Sequence, residues 1–280
     1  MSSGTLYVCA TPIGNLGDIT LRVLDTFKNV DYIAAEDTRH SKNLLNHYEI
    51  KKPMISYHEH NERRRTEEII EKLRMGKNIA LISDAGMPGI SDPGQILIAQ
   101  CREENIAIDV LPGANAAITG LVLSGLPAEK FAFIGFLPSS DGDRKKELKK
   151  LAEVEFTLIF YEAPHRLGVV LKEMSEVFGD REVAVARELT KIHQSLIRGY
   201  LGELAERFEN NPPKGECCII VEKYKRVVEK GYPLEWLEEL SQLLRDGIEE
   251  KEAMKIVAKR HGISKREVYG AKIKAISNDM

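Results

Sequence analysis

The segment Ser83–Gly94 carries the densest set of residues able to meet a ligand. It holds Asp84 and Asp92, prolines at 88 and 93, and glycines at 86, 89 and 94, directly after the apolar run Ile79–Ile82. An aspartate at a strand end accepts hydrogen bonds from hydroxyl or ammonium groups, and glycine lets backbone approach a ligand closely. Asp92-Pro93 also fits a plain helix start, with Asp as N-cap and Pro in the first turn, which leaves Asp84–Gly89 as the ligand-facing part. A second segment, Glu36-Asp37-Thr38-Arg39-His40-Ser41, follows another apolar run and crowds acid, base and hydroxyl groups together. Asp37 or Thr38 can cap a helix there as well. Thr11–Thr20 contains a glycine-bearing turn after the first apolar run. It lacks both the Gly-x-Gly-x-x-Gly pattern and the lysine of a phosphate-binding loop, so an ordinary strand-to-helix turn is the better reading. Leu111–Ala117 places small residues after a strand, which suits either a flat ligand or close packing of a linking helix. His58, His60, Asn61 and Glu62 have no third ligand at a helpful spacing, so no metal is expected.

These segments need elements to hold them. Strands are predicted at Leu6–Ala10, Tyr32–Ala35, Ile79–Ile82 and Ile106–Leu111, and helices at Thr20–Lys28, Thr66–Met75 (with Gly76 as a C-cap signal) and Gly94–Glu104. Near-continuous apolar strands separated by helices indicate an α/β fold with a parallel sheet covered on both faces. The second half repeats the style. Strands are predicted at Phe131–Phe136, Phe156–Tyr161, Val183–Ala186 and Cys217–Val221, and helices at Arg144–Ala152, Arg166–Phe178 and Leu201–Phe208. Tyr161–Arg166, Arg187–Lys191 and Lys214–Glu216 put polar groups at those strand ends, as a cleft requires. The Gly-, Ala- and Pro-rich stretch Gly113–Pro127 reads as the join between halves.

The chain has 280 residues, 30% of them charged and 43% hydrophobic, which fits soluble globular domains. A net charge of −3 rules out a globally cationic nucleic-acid binder, so any such contact must come from local patches. No signal peptide or membrane span is read, and the four cysteines form no Cys-x-x-Cys pair. Adjacent Cys217 and Cys218 should face opposite sides of a strand. A cytoplasmic location without disulfides is expected.

The charge segregates near the end. Residues 229–250 carry seven acidic side chains against two basic, and residues 251–274 carry eight basic against two acidic. Ala253–His261 reads as a helix, Gly262 as a turn and Ser264 as an N-cap completed by Glu267 three residues on. The helix that follows bears Lys265, Arg266, Tyr269, Lys272 and Lys274. Helix, glycine turn and basic helix outline a helix-turn-helix, with nucleic-acid contact through residues such as Lys265 and Arg266.

Taken in order, Thr11–Leu16, Glu36–His40, His60–Glu62, Ser83–Gly86 with Ser91–Gly94, and Arg187–Lys191 resemble the ribosomal RNA small subunit methyltransferase I family of the tetrapyrrole methylase superfamily. The resemblance runs from about Leu6 to the C-terminus. It implies two α/β domains of the tetrapyrrole methylase type with S-adenosylmethionine bound between them, and a small helix-turn-helix-like module. We set the expected boundaries at 1–116, 117–228 and 229–280. It further implies a homodimer that methylates a cytidine ribose 2′-hydroxyl of 16S ribosomal RNA near the decoding centre of the small ribosomal subunit. By the family pattern, Pro12, Asp84, Gly86, Ser91, Ala116, Ala117, Phe136, Ala163 and Gly215 meet the cofactor. Arg39, Asn61, His165, Arg166, Arg187 and Lys191 face the RNA, and Asp37 or Glu36, with His60 in reserve, accepts the hydroxyl proton. Two departures are Ala114-Asn115, where the family often has proline first, and Gln194, where relatives commonly carry Glu. The alternatives are a small-molecule, tetrapyrrole-like methylase and a catalytically silent RNA-binding assembly factor. The basic tail and Glu36–His40 argue against the first, and the intact Asp84 loop against the second.

Overall fold

A computed structural model describes residues 3–225 and 234–278, which fall into two compact units divided at Lys225/Arg226. The first sheet is parallel throughout, in the order β3-β2-β4-β1-β5, from β1 (Thr5–Cys9), β2 (Tyr32–Ala35), β3 (Met54–Ser56), β4 (Ile79–Ile82) and β5 (Ala107–Leu111). Alternation along each strand feeds two cores. Leu6, Val8, Ile79 and Leu81 pack with Ile69, Leu73 and Leu97 of α3 (Glu62–Arg74) and α4 (Gln95–Glu103). Cys9, Ala80 and Ile82 pack with Val23, Phe27 and Leu44 of α1 (Leu21–Asn29) and α2 (Thr38–His47). This is the doubly covered sheet that continuous apolar strands require.

The second sheet corrects the expectation of a repeat in the same style. Its order is β6-β7-β10-β8-β9, from β6 (Phe131–Phe136), β7 (Thr157–Glu162), β8 (Glu182–Arg187), β9 (Ser195–Tyr200) and β10 (Cys217–Val221). Only β6 and β7 run parallel; β10 is antiparallel to β7 and β8, and β9 is antiparallel to β8. The reason is connectivity. β8 and β9 are joined by residues 188–194 with no helix between them, and so short a link permits only an antiparallel pair. Strands β3 and β9 were not anticipated, one being three residues long and the other a half-exposed edge.

Between the sheets, α5 (Ala116–Ser124) packs Ala117 and Leu121 against Ile159, Ala184 and Cys218. The other face of the second sheet is covered by α6 (Asp141–Leu151), α7 (Leu167–Phe178) and α8 (Leu201–Asn210). Cys217 lies in that core and Cys218 in the α5 core, so the pair faces opposite sides, and all four cysteines are free and buried.

The C-terminal unit comprises α9 (Leu234–Arg245), α10 (Glu250–Arg260) and α11 (Lys265–Asn278) around Leu240, Ala253, Val257 and Val268. Gly262 turns at φ +65°, and the capping box forms. The Ser264 amide donates to Glu267 Oε2 at 2.8 Å, and the Glu267 amide to Ser264 Oγ at 3.3 Å. Lys265 and Arg266 are exposed. Residues 226–233, where the last boundary was expected, and the Lys274 side chain lie outside the described residues. Among the described residues, no helix is long and apolar enough to cross a membrane.

Candidate functional site

A cavity of about 400 Å³ opens where the strand ends of the two sheets meet. Its floor is laid by backbone. Thr11 and Gly86 exchange amide-to-carbonyl hydrogen bonds of 2.8 and 3.1 Å, clamping the first turn to the Ser83–Gly94 loop. Asp84 Oδ1 accepts from the Asp37 amide at 3.0 Å, which ties the Glu36–Ser41 segment to the same loop. The loop closes on itself through Gln95 Nε2 to the Gly89 carbonyl (2.9 Å). Gly94 sits at φ +144°, where a Cβ would lie 3.2 Å from the Gly89 nitrogen, so the position needs glycine. Ser91 holds a left-handed φ of +62° and faces Gly135, whose φ of +76° marks the bulge that lets β6 come close. From the second half, the Tyr161 hydroxyl accepts from the Ala117 amide at 3.0 Å, and Phe133 and Phe136 pack edge-on against its ring.

The structure brings Asp84, Gly86, Ser91, Ala116, Phe136 and Ala163 to the cavity wall, with Glu36. Pro12, Ala117 and Gly215 stand one residue away from the lining residues Ile13, Ala116 and Glu216. At Gly215 a Cβ would fall 2.1 Å from Glu188 Oε1, so that glycine makes room for the Glu188 carboxylate. Asp37 does not line the cavity. It caps α2 through the Arg39 amide (2.8 Å) and pairs with the Arg39 guanidinium (3.0 Å), which holds its carboxyl down near 2. His60 and Asn61 sit in a separate shallow depression formed by residues 59–64, and Asn61 is spent on the His58 amide and the Ser56 carbonyl. His165 is exposed. Arg166 donates to the Leu137 and Pro138 carbonyls (both 3.2 Å), and Arg187 to Ser195 Oγ (3.1 Å) and the Lys214 carbonyl (3.0 Å). Lys191 pairs with Glu188 at 2.9 Å.

Asp92 corrects the expectation of a helix cap. The N-cap of α4 is Gly94, without a side-chain bond, and Asp92 lines the cavity instead. Burial and the nearby Glu36 carboxyl push the Asp92 carboxyl up to about 7. Burial and Asp84 raise Glu36, and burial raises Glu162. Glu162, Glu188 and Glu216 belong to segments expected at the cleft, but none of the three was singled out as a site residue, because type and spacing do not tell a cavity acid from a cap or a surface ion pair. Glu162 is 2% exposed. Its Oε1 takes the Ala163 amide at 2.8 Å, while its buried Oε2 has no partner in the protein. The wall therefore holds six carboxyl groups, at Glu36, Asp84, Asp92, Glu162, Glu188 and Glu216, and no lysine or arginine. Three of them are paired from just outside the wall, Glu162 with Arg166 at 3.3 Å and Glu188 and Glu216 with Lys191 at 2.9 and 3.8 Å. Glu36, Asp84 and Asp92 have no ion-pair partner among the described residues, and together with the mostly apolar wall they suit a cation.

This is an α/β cleft protein with an acidic, largely apolar cleft between a parallel and a mixed sheet. Residues 5–205 match the tetrapyrrole (corrin/porphyrin) methylases, and the chain belongs to that family. The ribosomal RNA small subunit methyltransferase I of Halalkalibacterium halodurans is 47% identical over 273 residues, covering 95% of this chain and 93% of that protein. The protein of the same name from Thermotoga maritima is 46% identical over 218 residues, 78% of this chain and 98% of its own length. Among solved structures, the uroporphyrin-III C-methyltransferase of Thermus thermophilus, complexed with S-adenosylhomocysteine, shares the fold with a TM-score of 0.58 at 17% identity, covering 78% of this chain and 97% of that one.

Proposed function

We propose that the chain transfers a methyl group from S-adenosylmethionine to a ribose 2′-hydroxyl of a cytidine in 16S ribosomal RNA. The observation that carries the donor is the acidic wall, in which Glu36, Asp84 and Asp92 have no ion-pair partner among the described residues, together with the unpartnered Glu162 Oε2. The RNA acceptor rests on the relatives' names and on the exposed basic residues of the C-terminal unit. S-adenosylmethionine bears a sulfonium and an ammonium, so the residues present fit it. Asp84, Asp92 and Glu162 would hold its positive groups, and Gly86, Ala116, Ala163 and Phe136 would accommodate its flat base, with Pro12, Ser91, Ala117 and Gly215 shaping the wall.

When bound, the donor supplies an activated methyl on sulfur. The protein's task is to align the acceptor oxygen in line with the carbon–sulfur bond and to take the hydroxyl proton. Glu36 performs the second part. It lines the cavity, and its raised carboxyl is a better proton acceptor than the Arg39-bound Asp37. Arg39, His165, Lys191, Lys265 and Arg266 meet RNA phosphates. Asn61, Arg166 and Arg187 act through the loops they brace. We keep the division 1–116, 117–228 and 229–280; its first boundary is supported by every strand of the first sheet preceding residue 112 and by α5 packing on the second. The outward face of α5, with Ile118 44% and Val122 73% exposed, suits a homodimer contact. A cytoplasmic location follows from a ribosomal substrate.

Methyl transfer to isolated small ribosomal subunits, with the modified nucleotide mapped, tests the whole reading. We expect one ribose-methylated cytidine. A chain ending at Tyr232 should still bind donor but lose RNA affinity and its steep salt dependence, because phosphate contacts release counterions. Modification of a base, or of no RNA, refutes the acceptor.

The donor can be tested by pH. Asp92 titrates near 7, well above an unfolded aspartate at about 3.9. The stability it lends is therefore present below about pH 4 and lost as pH rises through 7. Ionisation of Asp92 is what the donor's positive charge repays. S-adenosylmethionine affinity measured by calorimetry should rise between pH 6 and 8, and Asp92→Asn should flatten that rise while raising the melting temperature at pH 8. A pH-independent affinity in the parent chain contradicts the assignment.

A further inference from the structure

The loop 188–194 between β8 and β9 stands at the cavity rim, and the chemistry above does not use its tip. It is unusually braced. The Glu188 amide donates to the Glu216 carbonyl (3.2 Å), the Lys191 amide to the Glu188 carbonyl (3.0 Å) and the Gln194 amide to the Lys191 carbonyl (3.1 Å). Gln194 Oε1 accepts from the Thr190 amide at 2.7 Å. Glu188 and Thr190 hold left-handed φ values of +51° and +65°, and a β-branched threonine adopts that backbone only under strain. Glu188 and Leu189 line the cavity, and the stem of Lys191 lies so close to Gly14 that a Cβ there would meet its Cγ at 2.4 Å. The next residue, Ile192, is 98% exposed.

A lone exposed apolar side chain is ordinary on a protein surface. Here it is the tip of a fixed, strained loop beside the cleft, and His193 and Gln194 next to it are exposed and polar. A protein-docking patch needs a contiguous apolar area, which these neighbours deny. A wedge needs only one stiff apolar group. We propose that Ile192 enters the base stack of the substrate RNA at the place vacated when the target nucleotide swings into the cleft.

The inference rests on the RNA-methylation reading above. Extracting a nucleotide breaks its stacking contacts, and apolar side chains inserted at such steps replace them. Isoleucine has one dominant χ1 rotamer, and its loop is ordered before RNA arrives, so little freedom is lost on insertion. Lys191, one residue before the tip, carries the positive charge that holds the adjoining phosphates.

The test is single-turnover methyl transfer to small ribosomal subunits at saturating enzyme and S-adenosylmethionine. Ile192→Ala should slow transfer about tenfold, the scale of losing one stacking partner. Subunit affinity, donor affinity and melting temperature should be unchanged. Ile192→Val should keep most of the rate, because a wedge asks for a stiff apolar group, and Ile192→Asp should not. Ile192→Ala at the parent rate overturns the wedge. So does a loss that tracks a lowered melting temperature, or Ile192→Asp as fast as Ile192→Val. A parent chain that methylates no subunit overturns the RNA reading itself, and that is seen before any variant is made.

Discussion

Glu36→Gln should lower single-turnover methyl transfer by about 10²–10⁴-fold at saturating donor, the usual contribution of a positioned proton acceptor. The amide keeps the shape of the side chain and its hydrogen-bonding oxygen but cannot take the proton. Saturating donor matters because Glu36 also belongs to the acidic wall, and its loss weakens cation binding as well. The parent rate should rise with pH and level off above the Glu36 carboxyl's raised value. Asp37→Asn makes the control. Its carboxylate is committed to the α2 cap and to Arg39, so the variant should lose some thermal stability and keep most of its rate. His60→Ala should leave the rate intact, since His60 lies in a different depression. A Glu36→Gln enzyme that transfers at the parent rate, or an Asp37→Asn loss of the same depth, moves the proton acceptor elsewhere.

Arg144→Ala should cost about 3–5 kcal/mol of folding stability in urea denaturation, the range for breaking a buried ion pair from one side. The Arg144 side chain is 4% exposed and that of Glu173 10%. Their second contact, Nη2 to Oε1, is 3.0 Å, and Nη2 reaches Asp141 at 2.6 Å. These partners raise the Arg144 guanidinium further above its usual range. Removing it strands the Glu173 carboxylate in the core of α6 and α7. It also frees the Ser139 carbonyl, which Nη1 holds at 3.0 Å, and leaves the Pro138 carbonyl to Arg166 alone; these residues follow Phe136 of the cavity wall by two and three positions. Donor affinity should therefore fall along with stability. The double variant Arg144→Met with Glu173→Leu should regain most of the stability, because neither charge is then buried alone. Donor affinity should return less fully, since the Ser139 carbonyl remains unheld. A single-variant loss under about 1 kcal/mol rules out a buried-pair role.

By itself the sequence determined the family and most of the elements, the short β3 and the half-exposed edge β9 excepted. Apolar runs at Leu6–Ala10, Ile79–Ile82 and Cys217–Val221 specify buried strands because burial on both faces leaves no polar position. The capping box at Ser264–Glu267 is local, so it was legible from two residues. The ordered segments from Thr11 to Lys191 carry the methylase resemblance, and Asp84, Gly86, Ser91, Ala116, Phe136 and Ala163 were placed at the cavity from them. The tertiary structure alone decided the rest. Strand direction in the second sheet depends on pairing partners far along the chain, so β10 between β7 and β8 left no local trace. Whether a carboxyl acts as a cap, an ion pair or a cavity wall depends on burial and neighbours. Asp92 therefore turned from an expected helix cap into a cavity acid near 7, and Glu162, one polar group among several at a strand end, proved to be buried with an unpartnered oxygen. Asp37, chosen with Glu36 from their shared segment, went the other way. One residue of separation at the end of β2 sends Glu36 into the cavity and Asp37 to Arg39, because successive side chains at a strand end point in opposite directions.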